Sequence, residues 1–171
     1  MTRRPIVKRE AVHAAYQPIV DLATRQVVAF EALARFDPTS GFANPAEAFD
    51  AARQAGPAAL AELDQVCIGA AVDGAVAAAL PPTTAVFINV LPTTFQRELP
   101  AELVEAVRLA GRLRVVVEVT EVDVMARPAE MLAFAAWARR RGFGVAVDHR
   151  WPQPQAPSLL PPLRPPVVNR L

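Results

Sequence analysis

Glu31, Asn89, Glu118 and Asp148 sit in comparable places, toward the C-terminal ends of otherwise apolar, strand-like runs. Three carboxylates and one amide oxygen make a hard, all-oxygen donor set, which suits Mg²⁺ or Mn²⁺ over zinc. A carboxylate buried at such a place is costly unless it is paired or binds a cation. In a parallel βα barrel, the C-terminal strand ends are where active sites are assembled. Glu31 shares its strand face with Leu33 and Arg35, because side chains repeat every second residue. Arg35 could therefore meet a phosphate lying over the metal. One Glu near a strand end is more often solvated or salt-bridged. Four polar residues on successive strands shift the balance toward a shared site without deciding it.

The elements that must position these residues are legible in outline. Tyr16 to Leu22 and Val27 to Arg35 read as two short strands joined by a turn around Thr24-Arg25. Asn44-Pro45-Ala46-Glu47 has the features of a helix start: a good N-cap, proline at the first helical position, and a carboxylate where a capping box needs one. That helix should end near Gly56, and an alanine-rich helix should follow from about Ala58 to Ala79, stopped by Pro81-Pro82. Strand and helix then alternate: Thr84 to Val90, a helix from Pro100 to Ala110, Leu113 to Val119, a helix from Pro128 to Arg141, and Phe143 to Asp148. The runs Val115-Val116-Val117 and Val145-Ala146-Val147 are continuously apolar, as in parallel strands covered on both faces. The pattern predicts an α/β fold with a mainly parallel sheet.

Composition narrows the function classes. The 171 residues are 53% hydrophobic and 20% charged, which suits one globular domain with a sizeable core. Eighteen basic and 17 acidic residues leave a net charge of +1, too small a field for a nucleic-acid or anionic-membrane partner. No apolar run approaches the roughly 20 residues of a membrane span, and the basic Met1 to Pro5 lacks the apolar stretch of a secretory signal. The single cysteine, Cys67, excludes an internal disulfide and fits a reducing compartment, so a soluble, cytoplasmic protein is expected. Lys8 is the only lysine, and seven of the 17 prolines fall between Pro152 and Pro166.

Five motifs in order, Tyr16-Gln17-Pro18-Ile19-Val20, Glu31-Ala32-Leu33-Ala34-Arg35, Phe87-Ile88-Asn89-Val90, Glu118-Val119-Thr120-Glu121 and Val145-Ala146-Val147-Asp148, resemble those of the EAL domain. The resemblance implies a (β/α)8 barrel of the TIM type and hydrolysis of the bacterial second messenger cyclic di-GMP to pGpG. By the same resemblance Glu31, Asn89, Glu118 and Asp148 would hold the first metal, Mg²⁺ or Mn²⁺, of a two-metal site. Gln17 and Arg35 would contact the dinucleotide. Two metals stabilise the attacking and leaving oxygens of an in-line displacement and generate hydroxide at neutral pH. The organisation expected is an N-terminal extension over 1–11, an EAL-like partial barrel over 12–148, and a degenerate proline-rich segment over 149–171.

The chain departs from that family in two places. The family's Asp-Asp-Phe-Gly, whose second Asp serves the second metal, is here Asp148-His149-Arg150-Trp151. The family's Lys-x-Asp, whose lysine helps activate water, is here Asn169-Arg170-Leu171. Lys8, ahead of the first strand, cannot stand in. At most one metal site is expected, with no intact catalytic lysine at the Asn169 position, and groups acting as a unit lose most of their rate with one member. Negligible phosphodiesterase activity is therefore expected. A full barrel typically takes about 250 residues, so roughly its last third is expected to be lacking. An unclosed barrel exposes strand edges, which a second copy or a protein partner could cover. Three readings stay open: an inactive module that binds cyclic di-GMP weakly or docks a partner, a remnant of a truncated or frame-disturbed gene, and a working phosphodiesterase.

The remaining conspicuous residues have plain readings. Phe134 and Trp137 are packing residues, Arg139-Arg140-Arg141 opposes a helix dipole, and Cys67 is a small buried apolar group. His13 has no partner discernible in the sequence.

Overall fold

The turn between the first two strands is organised by one side chain. Asp21 Oδ1 accepts hydrogen bonds from the backbone N–H of Ala23 (3.0 Å) and Thr24 (2.7 Å) and from the Thr24 hydroxyl (2.9 Å). These bonds hold the Asp21 carboxyl below its ordinary range, and Arg25 takes the left-handed conformation (φ 59°) that closes the turn. The result is an antiparallel hairpin of β1 (Val12–Val20) and β2 (Val27–Phe36), with Val12 opposite Phe36 and Gln17 opposite Glu31. β1 begins four residues earlier than the sequence pattern suggests. Its first residues gain ladder partners from the far end of β2, a contact that local periodicity does not encode.

The computed structural model describes residues 6–81, 84–96 and 113–148. β3 (Ala85–Asn89), β4 (Arg114–Thr120) and β5 (Gly144–Asp148) add to β2 in parallel, giving the order β1-β2-β3-β4-β5. This is the mainly parallel sheet the alternating pattern predicts, with the antiparallel β1 at one edge. The expected helix over 100–110, His149 and the segment through Asn169 lie outside the described residues.

Helix α1 (Pro45–Ala55) starts as its sequence indicates: Asn44 Oδ1 accepts from the Glu47 N–H at 3.1 Å. The reciprocal bond differs from a standard capping box. Glu47 Oε2 takes the N–H of Ala43, one residue further out, at 3.0 Å, while Glu47 Oε1 accepts from the Asn44 side-chain amide. Helix α2 (Pro57–Ala77) is apolar around most of its circumference because it is packed on two sides. Ile68, Ala71, Val72 and Ala75 pack with Val86 and Ile88 of the sheet, and Leu63 and Ala70 pack with Ala48, Ala52 and Val7.

The α2–β1 contact is close. Tyr16 Oη donates to the Ala71 carbonyl at 2.6 Å, and a Cβ on Gly74 would lie 2.6 Å from the Tyr16 Oη. Burial, then the nearby Asp73 carboxylate, pushes the Tyr16 phenol up to about 12. Gly74→Ala should gain up to about 1 kcal/mol of helix propensity but lose about 1–3 kcal/mol to overpacking. The net expectation is destabilisation in urea unfolding. The same change on a Tyr16→Phe background, where the clashing oxygen is gone, should be neutral or stabilising.

Beyond β4 the chain forms α3 (Glu121–Ala126), a helix absent from the sequence-based expectation, and α4 (Pro128–Arg140). The signal for α3 was present: Thr120-x-x-Asp123 is an N-cap pattern, and the Thr120 hydroxyl accepts from the Asp123 N–H at 3.2 Å. Met131, Phe134, Ala138 and Phe143 bury Val115, Val117 and Val119. Trp137 lies between Phe134 and Phe143, with ring centroids 6.2 Å away on each side, confirming the packing reading. The Arg141 guanidinium sits 4.3 Å over the Trp137 ring, a contact beyond the dipole role read from the sequence. One sheet face is thus covered by helices; the other carries the candidate site.

Candidate functional site

Residues paired in register point to the same side of a sheet, and side chains alternate along each strand. Gln17, Glu31, Phe87, Val116 and Gly144 therefore form one row on the face away from the helices. Asn89, Glu118 and Ala146 form the next row toward the C-terminal ends of the parallel strands. Asp148 lies one row further, beside Thr120, while Arg35 stands opposite His13 toward the same end. All six residues singled out from the sequence share this face: Gln17, Glu31, Arg35, Asn89, Glu118 and Asp148.

Beneath them the face is apolar. Ile19, Ala29 and Ala85 are buried, with Phe87 and Val116 packed against them. At the start of β5, Gly144 provides the room this floor needs: a Cβ there would lie 2.9 Å from Val116 Cγ2. The polar rows thus stand on an apolar base.

The structure brings two of the expected ligands into direct contact. Asn89 Nδ2 donates to Glu31 Oε1 at 3.1 Å, across 58 residues of sequence. The contact is diagonal, since Glu31 is level with Phe87 and its side chain reaches up one row. With its nitrogen committed to Glu31, the Asn89 amide has its oxygen to offer a cation. Glu118 is the direct β-neighbour of Asn89, and the Val90 N–H donates to the Glu118 carbonyl at 3.0 Å. Asp148 is on the correct face but two residues further along its strand than Glu118's neighbour, Ala146. Among the described residues, no three His, Cys, Asp or Glu side chains stand at metal-holding spacing. Glu31, Asn89, Glu118 and Asp148 are all half-buried. Arg35 is exposed, with Nη1 donating to the Ala34 carbonyl at 3.0 Å, and His13 opposite it is exposed too.

Sequence reading missed Asp64. It lies inside α2, in line with Ile68 one turn on, and only 2% of its surface is exposed. The Leu91 N–H, two residues past Asn89, donates to its Oδ1 (3.3 Å) and Oδ2 (3.2 Å). Burial pushes this carboxyl up to about 7, against the opposing effects of the Thr94 hydroxyl and the Leu91 amide. A carboxylate on the apolar stripe of an alanine-rich helix was the available signal. Cys67, one turn further along α2, is a packing residue as expected; burial first, then the Asp64 charge, pushes its thiol up to about 12.

Comparison with known proteins adds three findings. The family model of the EAL domain matches residues 2–165. A Klebsiella pneumoniae BlrP1 structure, a calcium/cyclic di-GMP complex, is 28% identical with a TM-score of 0.66, covering 86% of this chain and 37% of its own. A manganese/cyclic di-GMP complex of the same protein is 30% identical with a TM-score of 0.63, over 81% of this chain and 34% of its own. The Pseudomonas aeruginosa FimX EAL domain bound to c-di-GMP, 20% identical with a TM-score of 0.63 over 81% of this chain and 57% of its own, shares the fold. The chain thus spans well under two thirds of these proteins' lengths. No curated protein matches it.

Proposed function

Because this chain belongs to the EAL domain family, we propose that it recognises cyclic di-GMP through one divalent cation, Mg²⁺ or Mn²⁺, and hydrolyses it weakly or not at all. The observation that carries this reading is the Glu31–Asn89 contact, made on the same sheet face as Glu118, Asp148, Gln17 and Arg35. The donor set fits a hard cation in its chemistry, with three carboxylates and an amide oxygen. In its spacing, Glu118 and Asp148 must draw toward the Glu31–Asn89 pair to complete the coordination. Such a cation, when bound, would polarise a phosphodiester oxygen and lower the pKa of a bound water. Glu31 holds the Asn89 amide by its nitrogen, which leaves the amide oxygen available to a cation. Arg35 and Gln17 flank that position, one as a fork for phosphate oxygens and one as a neutral hydrogen-bonding group.

The low activity rests on what stands at the family's lysine position. Asn169 cannot supply an ammonium group, and Lys8 is the chain's only lysine. His149, in place of the family's second aspartate, is a poorer ligand for Mg²⁺. No described helix is long and apolar enough to cross a membrane, and the lone Cys67 supports a reducing, cytoplasmic setting.

The test is a calorimetric titration of the chain with cyclic di-GMP, with Mn²⁺ and with chelator, followed by chromatography of the nucleotide. Saturable binding that requires Mn²⁺, with no pGpG above the protein-free control, is the expected result. Steady pGpG release would overturn the inactivity. Absence of binding by folded protein would overturn the recognition.

A further inference from the structure

Resting on that reading of the site, we propose that Asp64 is a positioning residue for Asn89, acting from α2 through the backbone that leaves β3. The backbone just past Asn89 is held on two sides. The Val90 N–H bonds the Glu118 carbonyl of β4 at 3.0 Å, and the next N–H, of Leu91, is held by both oxygens of Asp64. Asp64 does not touch the candidate ligands; its leverage is on the direction in which the chain departs from the strand end.

The placement is otherwise costly. A carboxyl group 2% exposed in the middle of a helix sacrifices hydration and gains nothing for the helix itself, whose interior favours alanine or leucine. What it gains is a fixed distance between α2 and the segment 91–94, where Thr94 is fully buried beside it. β3 is five residues long, and Asn89 is its last residue, where fraying is greatest. Without an anchor just beyond it, the Asn89 carboxamide would hold Glu31 only part of the time, and the cation would have to order it.

The experiment follows Asn89 and Leu91 by NMR in wild type, Asp64→Ala and Asp64→Asn. Alanine suits α2 and removes a buried charge, so Asp64→Ala is expected to fold; should it not, Asp64→Ser, too short to reach Leu91, serves the same comparison. In metal-free protein, Asp64→Ala should lose hydrogen-exchange protection at the Leu91 amide. It should also raise the exchange rate of the Asn89 side-chain amide at least tenfold. Mn²⁺ affinity should fall by about tenfold, as for other groups that orient a ligand from behind. Asp64→Asn, which keeps an oxygen for Leu91, should restore all three. A folded Asp64→Ala protein with an unprotected Leu91 but unchanged Asn89 exchange would overturn the proposal. So would failure of the asparagine variant to restore Asn89. If wild type binds no Mn²⁺, the proposed function fails, while the metal-free Asn89 signal still decides the role of Asp64.

Discussion

Replacing Glu31 with alanine is expected to lower Mn²⁺ affinity, and with it Mn²⁺-dependent cyclic di-GMP binding, by roughly 100-fold or more, about 2.8 kcal/mol at 1.4 kcal/mol per tenfold. Two losses combine. A carboxylate donor disappears, and Asn89 loses the acceptor that fixes its amide at 3.1 Å. The stability loss should be small. Glu31 is half-buried, and an ion pair or hydrogen bond at that exposure contributes about 0–1 kcal/mol. Glu31→Gln should keep a hydrogen bond to Asn89 and still lose most of the metal affinity, because the charge is what the cation needs. Isothermal titration beside urea unfolding separates the two effects. A Glu31→Ala protein that binds Mn²⁺ as wild type does would remove Glu31 from the site.

The second large effect concerns pH and Asp64. Its carboxyl is raised from 3.8 to about 7 in the folded chain by burial. The sign follows from linkage: a raised pKa means that the folded state holds the proton more tightly than the unfolded state. The contribution is fully present below pH 3.8, where both states are protonated. It is lost progressively as pH rises toward 7, where the fold must accept a buried charge. At 1.36 kcal/mol per unit over about three units, the loss is about 4 kcal/mol. For a domain of this size that is roughly 10 °C in Tm. About two of those units fall between pH 5 and pH 8, so wild type should be less stable at pH 8 than at pH 5 by about 3 kcal/mol, roughly 7 °C in Tm, after the small contributions of exposed groups. Asp64→Asn, neutral throughout, should show a much flatter profile. Parallel wild-type and variant slopes in calorimetry across pH 4–8 would show that Asp64 does not titrate in this range.

The sequence by itself determined most of the strands, most helix ends and the placing of six candidate residues on one face of the sheet. Each of these is a local property. Asn44-Pro45 caps α1 wherever the helix goes, Asp21 makes its turn from its own neighbours, and a period of two already places Glu31 and Arg35 on one face. The apolar run Val115-Val116-Val117 within β4 announces a strand inside the sheet without saying what covers it; the structure buries Val115 and Val117 under helices and leaves Val116 half-buried on the other face.

Tertiary structure alone decided how the strands are offset. That Glu31 is level with Phe87 rather than Asn89, and reaches its partner on the diagonal, depends on the stagger between parallel strands. Stagger is fixed by packing over the whole sheet, and no residue near Glu31 or Asn89 records it. The same holds for Asp64. In the sequence it is a carboxylate in line with the apolar positions of a helix, which marks it as unusual without naming its partner. Only the packing of α2 against the exit of β3 turns it inward to the Leu91 amide, because a buried donor and a buried acceptor from distant segments must satisfy each other.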